Sequence, residues 1–487
     1  MTGKARISRH SALRSMPVLA VSIACLSACA HLDGTAAQRV SSTELPAAWF
    51  APLPHHGGLA GLTNWWAQFD DPLLARLINA AERVSPSVAA AWSRIERSRA
   101  TYVAAGATAL PDLRLASNVV RGRERPGQAI ANASSASLEA SWELDLFGGL
   151  AAGARAAEAR LNSARSGWHD ARVSVAAEVA TRYVELRACE QQLDLAIADG
   201  NSRAATAQLT ETSMRSGLEA VANAELARAS AAQGRVSVSQ QQTLCELTIK
   251  SLVELTGVGE TELRSQLAER RAILPRPTEI AVPSVPAETL AQRPDLISAA
   301  QELVSASADV AQAQAQRYPR VVLSGNIGPA RIESTMTNTS GTVWQLGPLS
   351  LILPVFDGGT RRANIRAAEA RYDEAAVAYR ARLRLAVREI EQALVSLQGV
   401  GERTADAGRA AQGFRAALQA TEARQRAGMA SLFDLESARR SALQAQTTLV
   451  DLERERISTW ISLYRALGGG WRSDERSESF QTSQVGS

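Results

Sequence analysis

Between Ala136 and Leu146 every second residue is apolar. Ala136, Leu138, Ala140, Trp142, Leu144 and Leu146 share one face of an extended chain, and Ser137, Glu139, Ser141, Glu143 and Asp145 share the other. Such a strand either covers a soluble core or faces lipid on one side and water on the other. Leu113 to Val120 is its expected partner, across a polar loop of Arg121, Arg123, Glu124, Arg125, Pro126 and Gly127. After Phe147-Gly148-Gly149 the period changes. From Leu150 to Met214 there is no proline, which predicts about 65 helical residues and a rod of roughly 100 Å. Val179, Tyr183, Leu186, Leu193 and Ile197 form a heptad-like stripe interrupted by Glu190, so coiled-coil packing is expected. The run stops at Arg215-Ser216-Gly217-Leu218, where glycine suits a tight turn between antiparallel helices, and a return helix follows.

The same plan is written again. Ala156-Ala157-Glu158-Ala159-Arg160 returns as Ala367-Ala368-Glu369-Ala370-Arg371, an offset of 211 that also carries Glu178 onto Glu389 and Arg215-x-Gly217 onto Arg426-x-Gly428. Pro86 and Pro111 recur at Pro294 and Pro319, an offset of 208. The second copy of the strand pair is Val321 to Gly328 and Val343 to Phe356, joined by a Thr/Asn/Ser/Gly loop near 335–341; its alternation is poorer, and Pro348 predicts an edge or bulge. Ile390, Leu394 and Leu397 repeat the start of the stripe. A repeat this long is a whole supersecondary unit, so the function is one that two similar halves perform together.

Ahead of the first repeat, Lys4, Arg6, Arg9 and Arg14 precede an apolar stretch from Pro17 to Leu26, too short for a stable membrane helix, ending in Leu26-Ser27-Ala28-Cys29. This reads as a secretion signal, closing either in a lipoprotein box with Cys29 acylated or in a plain cut near Ala30. Residues 1–28 hold four Lys/Arg and no Asp/Glu, so the 53 basic against 49 acidic residues become 49 against 49 without them. No basic block interleaved with aromatics remains, and nucleic-acid binding drops out. No later apolar run reaches ~18 residues, so a bilayer is crossed only as a closed β-barrel.

Catalysis finds no support in the residues. His10, His31, His55, His56 and His169 form no cluster with metal-ligand spacing, no nucleophile elbow or phosphate loop is present, and Gly148 to Gly153 has the wrong spacing for a nucleotide site. No enzyme activity, metal or cofactor is expected beyond lipid on Cys29. Cys189 and Cys245 remain, each 28 residues from Gly217. Antiparallel helices of equal rise set both thiols about 42 Å from the tip, which predicts a disulfide; two buried free cysteines are the alternative.

The lipobox, the Trp65-Trp66-x-x-Phe69-Asp70-Asp71-Pro72 opening, two strand-strand-hairpin units, the Phe356-Asp357-Gly358-Gly359 corner and the closing Leu463-Tyr464-Arg465-Ala466-Leu467-Gly468-Gly469-Gly470-Trp471 together resemble the TolC-like outer-membrane efflux family, and its NodT-type lipoproteins in particular. The resemblance spans about 45–471. It implies a mainly α protein with a membrane β-barrel: a homotrimer in which each chain gives four strands to a 12-stranded barrel and coiled-coil hairpins to a periplasmic tunnel. Residues 1–28 are then the signal peptide and 29–62 a lipidated tether. The first repeat is 63–257, with strands about 113–122 and 134–146 and a hairpin about 150–257. A linker, 258–287, leads to the second repeat, 288–471, with strands about 320–330 and 342–355 and a hairpin about 359–468; 472–487 is a disordered tail. The implied activity is passive export of small molecules across the outer membrane, together with a periplasmic adaptor and an inner-membrane pump of the resistance-nodulation-division type. The other readings are the duct of a type I protein secretion system and a periplasmic coiled-coil lipoprotein without a channel.

Family members carry an Asp-x-x-Asp arrangement after the second tip; here the run is Asp434-Leu435-Glu436-Ser437, so Asp434 matches the first acid and Ser437 replaces the second. The resemblance implies a gate collar of Asp434 carboxylates, extended by Asn223 from the first half, with Glu436 left unassigned on another helix face. Asp434 as a solvated charge beside a turn is the alternative. The tips, Arg215, Gly217 and Leu218 with Arg426, Gly428 and Met429, are the expected adaptor contacts; the arginines alternatively satisfy helix-end carbonyls. Because the first half alone has the cysteine pair and the second alone has Asp434, the first hairpin is expected to be a braced wall and the second a moving gate.

Overall fold

The first described helix is set by its cap: Asp71 accepts the Leu73 N–H and Pro72 occupies the first turn of α1 (Pro72–Val84). The computed structural model describes residues 49–51, 65, 66, 69, 71–123, 129–276, 286–336 and 338–470, all within one compact unit, Leu45–Ser487. The signal peptide, Cys29, most of the tether, Trp471 and the tail lie outside the described residues. After α1 come α2 (Pro86–Ala107), β1 (Asp112–Gly122), β2 (Ala131–Leu144), α3 (Gly149–Arg215), α4 (Val221–Thr256), α5 (Glu260–Ala268), α6 (Pro286–Ala291), α7 (Pro294–Ala315), β3 (Arg320–Ser334), β4 (Asn338–Ile352), α8 (Thr360–Arg426) and α9 (Leu432–Ala466). Helices α3 and α8 have 67 residues each and begin 211 positions apart; α4 and α9, at 36 and 35 residues, keep the same offset.

The strand limits differ from the pattern-based expectation at both ends of β2 and β4 and at the end of β3. Strand β2 stops at Leu144 because Asp145 turns its carboxylate to the Ala151 N–H and caps the start of α3. Strand β4 stops at Ile352, just before Pro354, which has no N–H to pair. The expected loop at 335–341 shrinks to 335–337, since Asn338 to Gly341 pair with Glu333 to Ala330. The Thr, Ser and Gly residues that suggested a loop are strand residues here.

One core joins both repeats and both ends of the described chain. Trp65 stacks on Tyr464 at 4.9 Å and packs edge-on to Phe69 at 4.6 Å, so the opening and closing motifs meet. Around them lie Leu74, Val179, Tyr183, Leu186, Ile390, Leu394 and Leu463, essentially without solvent contact. The heptad stripe needs correcting at its far end: Leu193 only borders the core and Ile197 is 39% exposed. Glu190 does not interrupt it. Its carboxylate accepts from Arg187 at 2.9 Å and from the Ala272 N–H at 2.8 Å, while fully buried Arg187 also donates to the Leu267 carbonyl and to Tyr183, whose hydroxyl donates to Asp71 at 2.6 Å. Burial pushes the Tyr183 hydroxyl well above the ordinary phenol range. This chain of polar groups seats α1 and the segment after α5 on α3.

Candidate functional site

The four strands form one antiparallel sheet in the order β1-β2-β3-β4. Its register lines up Leu115, Leu138, Ile327 and Trp344 in one row across all four strands, and Arg114, Glu139, Asn326 and Gln345 in the next. Neighbouring rows face opposite sides. One side is therefore apolar and stays exposed, with Leu115 81%, Trp344 71% and Leu346 79% accessible; the other carries charges and amides. The poorer alternation of the second pair has a local cause. Leu323 faces Leu349 and Gly325 faces Leu346, so Gly347-Pro348 form a bulge, with Gly347 at φ 108°. The bulge shifts the phase by one residue and keeps Leu346, Leu349 and Leu351 on the apolar side. At the sheet's base Trp142 donates to the Ala109 carbonyl and Phe147 stacks on Tyr318 at 4.8 Å.

From this sheet the two hairpins descend. In the first, Cys189 of α3 and Cys245 of α4 are joined by a disulfide with Cα atoms 5.6 Å apart. Gln241 donates to the Cys189 carbonyl and to Gln192, and Gln192 donates to Asp451 of α9 at 2.9 Å, so the bridged level is tied to the second hairpin.

Nearer the tips a second polar cluster, missed in the sequence, joins α3, α4 and α9. Arg203 binds Asp199 at 2.6 Å, Ser230 at 2.8 Å and Glu436 at 3.2 Å; Glu436 also accepts from Ser230 at 2.7 Å and Arg439 at 2.8 Å. Arg203, Glu436 and Arg439 are all buried. Two cations and two carboxylates balance, and every Glu436 oxygen has a donor. The close approach of α3 and α4 beside this cluster needs glycine, since a Cβ on Gly234 would meet the Gly200 Cα at 3.1 Å and the Arg203 side chain at 3.2 Å. The local pattern offers only an ordinary i,i+3 pair with Arg439; what buries Glu436 is Arg203, 233 residues away.

The tips are built alike. Gly217 (φ 72°) and Gly428 (φ 73°) adopt the left-handed conformation, and the N–H groups of Leu218 and Met429 return to the carbonyls of Ser213 and Arg424. Backbone therefore satisfies these helix ends, and Arg215 and Arg426 instead pair with Glu211 and Glu422 one turn back, with about three quarters of each arginine side chain exposed. Leu218, Val221, Met429 and Phe433 project into solvent there; Phe433 and Val221 were not anticipated.

Asp434 is exposed and caps α9. Its carboxylate accepts from the Ser431 N–H at 3.0 Å and hydroxyl at 2.7 Å, while Ser431 accepts the Asp434 N–H. These bonds hold its carboxyl below the usual range, so the cap and its charge persist at neutral pH and are lost only as pH falls through that lowered value. Asn223 donates to Glu219 at 2.6 Å. His169, the one histidine among the described residues, is pushed down to about 4 by burial and by Arg172. No group of acidic, histidine or cysteine residues suited to a metal occurs among the described residues.

Comparison with known proteins agrees with this geometry. The family model described as outer membrane efflux protein matches in two segments, residues 77–258 and 285–469. The pyoverdine export outer membrane protein OpmQ of Pseudomonas putida is 31% identical over 444 residues, covering 88% of this chain and 93% of that protein. Nodulation protein T of Rhizobium leguminosarum bv. trifolii is 29% identical over 446 residues, covering 86% and 92%. The solved structure of the outer-membrane channel OprN superposes with a TM-score of 0.76 at 28% identity, covering 88% of this chain and 98% of that one.

Proposed function

This chain belongs to the outer membrane efflux protein family, and from that premise we propose that it is the passive exit duct of a tripartite efflux system: a homotrimer that carries small molecules from a periplasmic adaptor and an inner-membrane pump across the outer membrane. Its place is the cell outer membrane, as for the outer membrane protein OpmQ and the outer-membrane channel OprN. The observation that carries the reading is the sheet. Four strands with one exposed apolar side and one polar side leave β1 and β4 each with an unpaired edge among the described residues. Unpaired backbone in lipid costs several kcal/mol per group, so strands from three copies close a 12-stranded barrel, lipid outside and water within. Trp142, Phe147 and Tyr318 at its base suit the membrane–water boundary. The two hairpins per chain, repeated at 211 residues, multiply to a near-sixfold tube, and Cys29 adds a lipid anchor.

At the periplasmic end the exposed tips, Arg215, Gly217, Leu218, Arg426, Gly428 and Met429, together with Phe433, meet the adaptor. Three Asp434 carboxylates form a collar that attracts cations, with Asn223 extending it. Asp434→Asn is expected to abolish block of single-channel current by divalent cations from that side; undiminished block assigns Asp434 to helix capping alone.

The barrel itself is tested by its two faces. Leu138→Arg puts a charge on the apolar side and is expected to weaken assembly by about 2–4 kcal/mol, read as loss of the heat-modifiable oligomer. Glu139→Gln, one residue along, leaves the oligomer intact and lowers the cation preference of bilayer conductance. Equal tolerance of both substitutions, or a wild-type protein extracted by salt as a soluble species, rejects the barrel and favours a coiled-coil lipoprotein.

A further inference from the structure

Helix α8 contains Gly399, Gly401, Gly408 and Gly413 within fifteen residues of its continuous helical interior. Each glycine weakens a helix interior about fivefold relative to alanine, so a packing reason is looked for first. Elsewhere there is one: a Cβ on Gly153 would meet Gln312 at 2.8 Å, and Gly200 lies against Gly234. At all four α8 positions an added methyl meets nothing within 4 Å among the described residues. One packed neighbouring copy does not account for all four either. At 100° per residue Gly401 and Gly408 lie about 20° apart, Gly399 and Gly413 about 40° apart, and the two pairs fall on opposite sides of the helix. One packed neighbour covers only one side. The positions 211 residues earlier hold Ala188, Glu190, Ile197 and Ser202, so the first hairpin has no such segment.

The packing changes at the same place. The main core descends α8 as far as Leu397. A separate small cluster of Ala227, Leu432 and Leu435, with Ala207 and Leu418 packed on it, holds the region near the tips. The glycines lie between the two. Between the clusters Val400 and Ala411 are buried but belong to neither; the described hydrogen-bonded tie from α8 to α9 there is the exposed Arg403–Glu455 pair, and exposed pairs of this kind hold weakly. Helix α9 has no glycine from Leu432 to Ala466. We propose that residues 398–413 of α8 are a compliant hinge between two packed bodies, on which the tip of the second hairpin swings. The bending stands on these contacts; its purpose as a gate rests on the duct reading.

Hydrogen exchange on the full-length oligomer tests it without reference to transport. Amides of 398–413 are expected to exchange at least tenfold faster than those of 187–202, and replacing all four glycines by alanine is expected to slow them at least tenfold with the oligomer intact. Gly413→Ala alone, at the most exposed site, slows its neighbours severalfold and serves if the fourfold variant fails to assemble. Exchange that matches 187–202, or that is unchanged by either variant, overturns the hinge; so does loss of the oligomer by Gly413→Ala, which makes the glycine a contact between copies. Absent conductance in wild type and variant alike counts against the duct and leaves the hinge standing, whereas normal conductance with unslowed exchange sinks the hinge alone.

Discussion

Glu436→Ala is expected to separate the second hairpin from the first and to open the tip end of the protein. The substitution leaves Arg203 buried with Asp199 alone as its carboxylate partner, and takes from buried Arg439 the carboxylate it pairs with in the cluster. Breaking a buried pair by removing one partner costs about 3–5 kcal/mol, because the surviving charge has lost both water and its counter-charge. The cluster joins α3, α4 and α9, so the loss falls on the contact between hairpins and not on the sheet. Spin labels near Leu218 and Met429 should therefore show a broadened, lengthened distance distribution while the oligomer survives. Cells making this variant should become sensitive to large antibiotics that the outer membrane normally excludes. Glu436→Gln, which keeps the shape and one acceptor, should lie between. In Arg203→Met/Glu436→Ala the loss of Arg203 removes part of the stranded charge, and a double-mutant cycle should recover about 1–3 kcal/mol of coupling. Unchanged tip distances in Glu436→Ala would remove this cluster from any role in holding the hairpins together.

What the sequence revealed and what it hid follow from how local each signal is. Strand β2 was legible because alternation at period two is written in consecutive residues, Ala136 through Leu144. Strand β4 was harder, since Gly347-Pro348 shifts the phase between Leu346 and Leu349. The paired long helices were legible from the absence of proline and the returning Arg-x-Gly tips, and their equal lengths keep the 211-residue offset. Glu190 looked like a break in an apolar stripe because one partner, Arg187, is an ordinary i,i+3 neighbour, and the other, the Ala272 N–H, arrives only once the segment after α5 folds back. Glu436 failed for the same reason at greater range: a carboxylate beside a tip looks solvated until Arg203 arrives from the other hairpin. The exposed Phe433 was passed over because apolar residues near a helix start ordinarily face a core. Buried polar networks are tertiary objects, and one-dimensional periodicity does not encode them.

The second large effect is expected from Cys189→Ser or from reduction of the bridge. Cys189 and Cys245 are 56 residues apart in sequence, and in the chain-entropy account a loop of that size restrains the unfolded chain by about 4 kcal/mol. Both sulfurs are buried on facing helices, and Gln241 beside them links through Gln192 to Asp451 of α9. Losing the bridge should therefore loosen α3 against α4 at mid-height and, through Gln192, weaken one tie to the second hairpin. Hydrogen exchange should rise in 185–195 and 240–250 by a factor of ten or more, and the unfolding midpoint should fall, while 398–413 of α8 stays as it was. That pattern defines a first hairpin held as a wall and a second that moves on its own segment. If the variant instead makes both hairpins exchange equally fast, the division between wall and gate is wrong. If exchange near Cys189 does not change at all, the Gln241–Gln192–Asp451 contacts and the surrounding core brace this level without help from the disulfide.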